Sequence, residues 1–252
     1  MTSPPVVSRV EDGIAHVVLD RPQSANAIDV PLTAALRHEL LAADADPDVR
    51  AIVLSGNGKH FCVGGDVAAM AATEDREAFL RELAGAAHEA VRAMHANRKP
   101  IVAAVHGASA GAGLALALSA DAVVAAESAS FVTAYAAIGV TPDCGLSWLL
   151  PRIVGYSRAL ELLVTSERFS AADAKAWGMV TEVVDTDPVR AAHELASRLG
   201  RGAPGIVTEM RRLLLDAQTQ GLDAHLDQEA STIAAMSTTE AADRLITAFA
   251  AR

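Results

Sequence analysis

Two stretches of this chain repeat one pattern: a run of apolar residues, a turn carrying glycine, and a helix start. The first is Ala51-Ile-Val-Leu-Ser55 followed by Phe61-Cys62-Val63-Gly64-Gly65-Asp66. The second is Ile101-Val-Ala-Ala-Val105 followed by Gly107-Ala-Ser-Ala-Gly111-Ala112-Gly113. An apolar run this short, closed by turn residues, reads as a strand buried on both faces. Such strands need helices laid over them, so the pattern points to an α/β fold with helices on the sheets.

The rest of the chain agrees. Runs at 6–10 and 14–19 are joined by Glu11-Asp12-Gly13, a hairpin signal, and 122–126 is a further buried strand. Apolar side chains at helical spacing mark a helix over 31–43, with leucines at 32, 36, 40 and 41. Another is marked over 75–96, with Phe79, Leu83, Ala87, Val91 and Met94 along one side. Residues 107–113 read as a small-residue loop leading into an apolar helix over 114–120. After Gly178 the character changes, and 189–199, 204–219, 222–236 and 239–250 all read as helices. The chain is thereby divided into a core over residues 1–195 and a helical C-terminal segment over 196–252. That segment is small for an independent domain and is expected to pack on the main body or on a neighbouring subunit.

With 252 residues, 51% of them hydrophobic, there is material for a sizeable core, which excludes a disordered chain. A net charge of -10 is the opposite of a nucleic-acid-binding footprint and opposes anionic lipid. The stretch 101–126 is interrupted by His106 and Asp121, so it reads as core and not as a membrane span. Met1-Thr2-Ser3-Pro4-Pro5 has neither a basic start nor an apolar run, and no signal peptide is expected. Cys62 and Cys144 form neither a disulfide framework nor a zinc-ligand spacing; a reducing cytoplasm is the simplest compartment.

Glycine lets a backbone approach a ligand closely, and the first amides of a helix point outward without a partner. Two such amides converging on one oxygen would form an oxyanion hole. Glycine kept merely for packing is the competing explanation for each loop. Other motifs fail on inspection. Gly111-Ala112-Gly113 has Leu116 where a dinucleotide fingerprint needs glycine, and Gly58-Lys59 has Val53 where a phosphate loop needs it. His60 and His106 have no partner at metal-ligand or triad spacing and read as structural, and the two cysteines read as small core residues.

Taken together, several segments are similar to the crotonase superfamily of enoyl-CoA hydratases and isomerases. They are Arg21-Pro22, Asn26-Ala27, Asp46-Pro-Asp-Val-Arg-Ala-Ile-Val-Leu54, Gly58-Lys59-x-Phe61-Cys62-x-Gly64-Gly65-Asp66, Lys99-Pro-Ile-Val-Ala-Ala-Val-His-Gly107, Ala110-Gly-Ala-Gly113, Pro151-Arg152-x-Val154-Gly155 and Gly178-Met-Val180. The resemblance implies a spiral of ββα units with a helical C-terminal trimerisation segment, and a homotrimer or a hexamer built as a dimer of trimers. It implies an acyl-CoA substrate, with coenzyme A as part of that substrate and no metal or redox cofactor. The amides of Gly65 and Ala112 would polarise the thioester carbonyl, Ala112 standing where glycine is usual. Ser24, Ala25 and Asn26, together with Val63, Gly64, Gly65, Asp66 and Val67, would carry the coenzyme A moiety.

The departures are informative. Hydratases of this family use two glutamates; the resemblance places them at Ala115 and Tyr135, neither of which is a carboxylate. Water addition needs a base for water and an acid for the α-carbon, so this disfavours hydration. One acid remains, Asp143, in Ile138-Gly-Val-Thr-Pro-Asp-Cys-Gly-Leu-Ser-Trp148, a stretch that resembles the ring-1,2-epoxyphenylacetyl-CoA isomerase branch. A double-bond shift needs one base that takes a proton from one carbon and returns it to another. Asp143 would serve as that base, or would simply cap a helix over 144–150. Asp66 reads as the cap of the helix that follows it, and Tyr135 as a lining or packing residue of the acyl pocket. Arg211 and Arg212 read as solvated or as partners for phosphate. An acyl-CoA-binding protein without turnover, and a CoA-thioester hydrolase, are the alternatives to an isomerase.

Overall fold

The structure, a computed structural model, describes residues 4–251; Met1, Thr2 and Ser3, on which the reading of the extreme N-terminus rests in part, lie outside the described residues. Among the described residues, nine strands form two sheets. The larger uses β1 (Val6–Glu11), β2 (Ile14–Leu19), β3 (Ala51–Gly56), β4 (Ile101–Val105), β6 (Ala122–Ala126) and β9 (Glu182–Val184), in the spatial order β1-β2-β3-β4-β6-β9. The hairpin β1–β2 is antiparallel, and every later pairing in this sheet is parallel. Asp12 (φ 50°) and Gly13 (φ 75°) make the tight turn that joins the hairpin. The smaller sheet has the order β5-β7-β8, from Ala108–Ala110, Ser130–Val132 and Phe169–Ser170.

The helices are α1 (Val30–Ala45), α2 (Val67–Ala72), α3 (Arg76–Ala96), α4 (Ala112–Leu118), α5 (Leu146–Val154), α6 (Tyr156–Thr165), α7 (Ala171–Ala176), α8 (Pro188–Leu199), α9 (Ile206–Asp216), α10 (Leu222–Ser237) and α11 (Glu240–Ala250). Side-chain caps set two of the long helices: the carboxylates of Asp29 and Asp75 accept from Leu32 N and Ala78 N at 2.8 and 2.9 Å. Alternate residues of the large sheet face opposite ways. Val17, Leu19, Ile52, Leu54 and Ile101 point into the main core with Leu32, Leu36 and Met94 of α1 and α3. Ile14, Val53, Val102 and Val124 point to the other side, where α8 covers them with Ala192, Leu195 and Ala196. Residue 195, where the sequence divides the chain, falls inside α8 and against this sheet.

Two expectations are corrected. The stretch 107–113 is not only a loop: β5 lies within it, paired to β7 through Ser109 and Phe131. The helix then begins at Ala112, because Gly111 takes φ 52° and ψ -122° and turns the chain at once. The C-terminal helices match the expected ones, but none of α9, α10 or α11 contains a buried residue. Leu214, Ile233 and Phe249 are 70, 72 and 77% exposed, so these helices carry apolar surface that the single chain leaves uncovered. Among the described residues no helix is long and apolar enough to cross a membrane.

Beneath α8, His16 Nε2 of β2 lies 3.0 Å from His193 Nδ1, with the rings stacked 5.2 Å apart. Burial lowers the His16 pKa, helped by the charge of Arg9 and by His193. The folded chain therefore holds His16 neutral at a pH where the unfolded chain protonates it. Stability from this source is intact above the unfolded value of about 6.5 and is lost as pH falls below it. Thermal unfolding at about pH 7.5 and about pH 5.5 checks this: the acid loss of Tm is expected to shrink in His16→Leu, and an equal loss in both proteins would refute it.

Candidate active site

The two glycine turns are stitched together. Cys62 N donates to Ala108 O at 3.3 Å, and Ala110 N donates to Cys62 O at 3.0 Å. The contact is so close that side chains are excluded at two places. A Cβ on Gly64, which has φ +92°, would lie 2.8 Å from Ala110 O, and one on Gly113 would lie 2.3 Å from Cys62 O. Gly65 therefore sits beside the first turn of α4. Among the described residues, neither Gly65 N nor Ala112 N donates to any acceptor in the chain. Both residues line a cavity of about 300 Å³. Ala112 is the first residue of α4, and the unusual dihedrals fall on Gly111, so alanine is accommodated at 112 without loss of the amide.

Apolar side chains of α2 and α3, among them Val67, Met70, Leu83 and Ala87, form much of the wall. Asp143 is the single carboxylate among the described lining residues. It does not cap a helix. The helix after it, α5, starts at Leu146 with Gly145 as its cap residue, later than the expected 144. Cys144 (φ 51°) and Gly145 (φ 79°) are both left-handed, and together they re-aim the chain just after the carboxylate. For a residue with a side chain that conformation costs about 1–3 kcal/mol. Tyr135, almost fully buried, donates its hydroxyl to Asp143 Oδ1 at 2.6 Å. Burial first, and then the charge of Asp143, push the Tyr135 pKa far up and keep the phenol a donor. The same two causes raise the Cys144 thiol.

His88, on α3, is a site residue that the sequence did not disclose. Its Nε2 accepts from Cys144 N at 3.2 Å. Its ring, the Asp143 carboxylate and the Cys144 thiol each bring one donor atom within 4.8 Å of the others. These are metal-ligand types; in this structure His88 Nε2 accepts the Cys144 amide and Asp143 Oδ1 accepts the Tyr135 hydroxyl. The available signal was a polar residue bordering the apolar stripe of α3, one position after Ala87.

The remaining candidates separate clearly. Val63, Gly64 and Val67 line the cavity, whereas Ser24, Ala25 and Asn26 do not. The Asn26 side chain is fully buried and works as a strut, its Nδ2 donating to Asn57 O, His60 O and Phe61 O while Oδ1 accepts from Arg21 N. Val63 N donates to Ala25 O at 3.3 Å, which lays the segment against the first turn. Asp66 caps α2 by accepting from Ala69 N at 3.0 Å, and Arg21 lies 3.8 Å away. Ala115 is fully buried on α4 and outside the cavity lining. His60 Nδ1 accepts from Ala108 N, and His106 Nε2 pairs with Gly58 O. Arg211 is consumed by Asp121, Asn97 O and Lys99 O, and Arg212 pairs with Glu209.

Comparison with known proteins identifies the family and the fold. The family model described as enoyl-CoA hydratase/isomerase matches residues 9–252. The 1,2-epoxyphenylacetyl-CoA isomerase of Escherichia coli (strain K12) is 34% identical over 240 residues, covering 89% of this chain and 87% of that protein. A protein of Rhodobacter capsulatus named a probable enoyl-CoA hydratase is 39% identical over 225 residues, covering 88% and 85%. The crystal structure of an enoyl-CoA hydratase from Polaromonas sp. JS666 superposes with a TM-score of 0.93 at 31% identity, over 98% of this chain and 96% of that one. Hydratase and isomerase names both occur among these relatives. The chain belongs to the enoyl-CoA hydratase/isomerase family and has the crotonase fold.

Proposed function

We propose that this chain acts on an enoyl-CoA thioester and shifts its double bond, with Asp143 as the only proton carrier. The carrying observation is the lining of the cavity: two unpartnered amides, Gly65 and Ala112, and a single carboxylate oriented by Tyr135. In this reading Asp143 takes a proton from C2 of a 3-enoyl thioester. The electron pair moves into the conjugated system, and negative charge collects on the thioester oxygen. The two amides hold that oxygen, and fixed donors are worth more as its charge grows. Asp143 then returns the proton to C4, the 2-enoyl thioester forms, and the enzyme is unchanged. Tyr135 donates to Oδ1 and leaves Oδ2 for the carbon acid. Hydration would require a second acid–base group, and Ala115 and Tyr135 supply no carboxylate for it.

Coenzyme A is part of the substrate in this proposal and not a separate cofactor. It would run along Ser24–Asn26 and residues 63–67, with the acyl group in the apolar cavity. The uncovered apolar side chains of α9, α10 and α11 support assembly as a homotrimer or a dimer of trimers.

Conversion of 3-enoyl-CoA to 2-enoyl-CoA by wild type and by Asp143→Asn tests the chemistry. The variant is expected to lose activity by about 10²- to 10⁴-fold while still binding the thioester. Full activity in the variant would remove Asp143 from the mechanism. Thioester binding by wild type with no turnover would indicate a binding protein, and release of free thiol a hydrolase. Light scattering on the purified chain is expected to give three or six times 26.1 kDa; a mass of one chain would refute the assembly.

A further inference from the structure

We propose that His88 is a positioning residue that holds Asp143 at its working angle; the proposal rests on the proton-transfer role given to Asp143 above. The peptide unit joining Asp143 to Cys144 is pinned at both ends. Its carbonyl, on Asp143, accepts from Leu146 N at 2.9 Å. Its N–H, on Cys144, donates to His88 Nε2 at 3.2 Å. The plane of this peptide sets the direction in which the Asp143 side chain leaves the backbone. Cys144 holds φ 51°, a conformation that a residue with a side chain leaves unless its surroundings fix it. Leu146 belongs to the same turn and moves with it. His88 belongs to α3, whose Leu83 and Ala87 are buried in the main core, so it is the external anchor. Accepting at Nε2 places the ring proton of the neutral tautomer on Nδ1. Asp143 is then fixed twice, through its backbone by His88 and through Oδ1 by Tyr135.

The test compares His88→Ala with His88→Gln, whose amide oxygen reaches the place of Nε2. Each variant is purified, crystallised and assayed on 3-enoyl-CoA beside wild type, with thermal unfolding measured in parallel. His88→Ala is expected to lose kcat by about ten- to a hundredfold, as a displaced catalytic group does, with KM within about twofold. His88→Gln is expected to recover most of the lost kcat. The His88→Ala crystal structure is expected to show the 143–144 peptide turned and the Tyr135–Asp143 hydrogen bond broken. Wild-type kcat in His88→Ala, an unchanged Tyr135–Asp143 bond, or equal loss in both variants would overturn the proposal. If wild type does not isomerise the substrate, the reaction assigned to Asp143 fails on its own, and the two crystal structures still decide whether His88 holds it.

Discussion

The site depends on how closely two backbone turns approach each other. Gly64 meets Ala110 O, and Gly113 meets Cys62 O, at separations that leave no room for a methyl group. This contact brings Gly65 and Ala112, whose amides find no acceptor among the described residues, to the wall of one cavity, and the hydrogen bonds between residue 62 and residues 108 and 110 lock it. The strands that deliver the turns, β3 and β4, are adjacent, parallel and fully buried. A preorganised pair of donors needs such a frame, because donors that must move into place at the moment of reaction lose most of their advantage. The buried Asn26 amide serves the same frame from behind by gathering the carbonyls of residues 57, 60 and 61.

Against this fixed backbone, the proposed chemistry falls to the side chains that face it. Asp143 has a phenol on one oxygen and a buried thiol alongside, and both groups are pushed toward their protonated forms by burial and by the carboxylate itself. In the proposed reaction neither would compete with Asp143 for the role of base. In that reaction an apolar wall and a single carboxyl side chain suit an internal proton shuttle better than the addition of water, which needs polar groups to hold it. Relatives of this chain are named for hydration and for isomerisation, and a fold alone does not fix the reaction; the side chains placed on it do.

The large sheet was legible because each of its main strands is a compact apolar run, and α1 and α3 because their buried positions recur at helical spacing. The pair of amides was legible for a related reason: glycine at a strand-to-helix turn has a local cause. The small sheet was not. β5, β7 and β8 are two or three residues long, and their pairing joins residues far apart in the chain, which no local pattern encodes. The orientation of Asp143 was equally hidden. It follows from a left-handed Cys144, a conformation whose usual sequence mark is glycine or asparagine. Asn26 was assigned to the coenzyme A segment because of its place in a motif; that its side chain braces the turn from inside had no mark in the sequence. His88 escaped notice because its contact is made across 56 residues of chain.

The C-terminal helices bring no group to the cavity, yet they are tied to the frame that forms it. Arg211 of α9 binds Asp121, and the Asp121 Oδ2 that it contacts also accepts from Ile101 N at 2.7 Å, at the first residue of β4. β4 is the strand that leads directly into the second glycine turn. Arg211 also holds the carbonyls of Asn97 and Lys99, so one guanidinium fastens the end of α3, the entry to β4 and the C-terminal segment together. A guanidinium so placed, largely shielded and bonded to a carboxylate and two carbonyls, is worth more than an exposed ion pair, because removing it would leave several acceptors without a donor. An assembly built on α9, α10 and α11 would therefore bear on the same joint that sets the origin of β4.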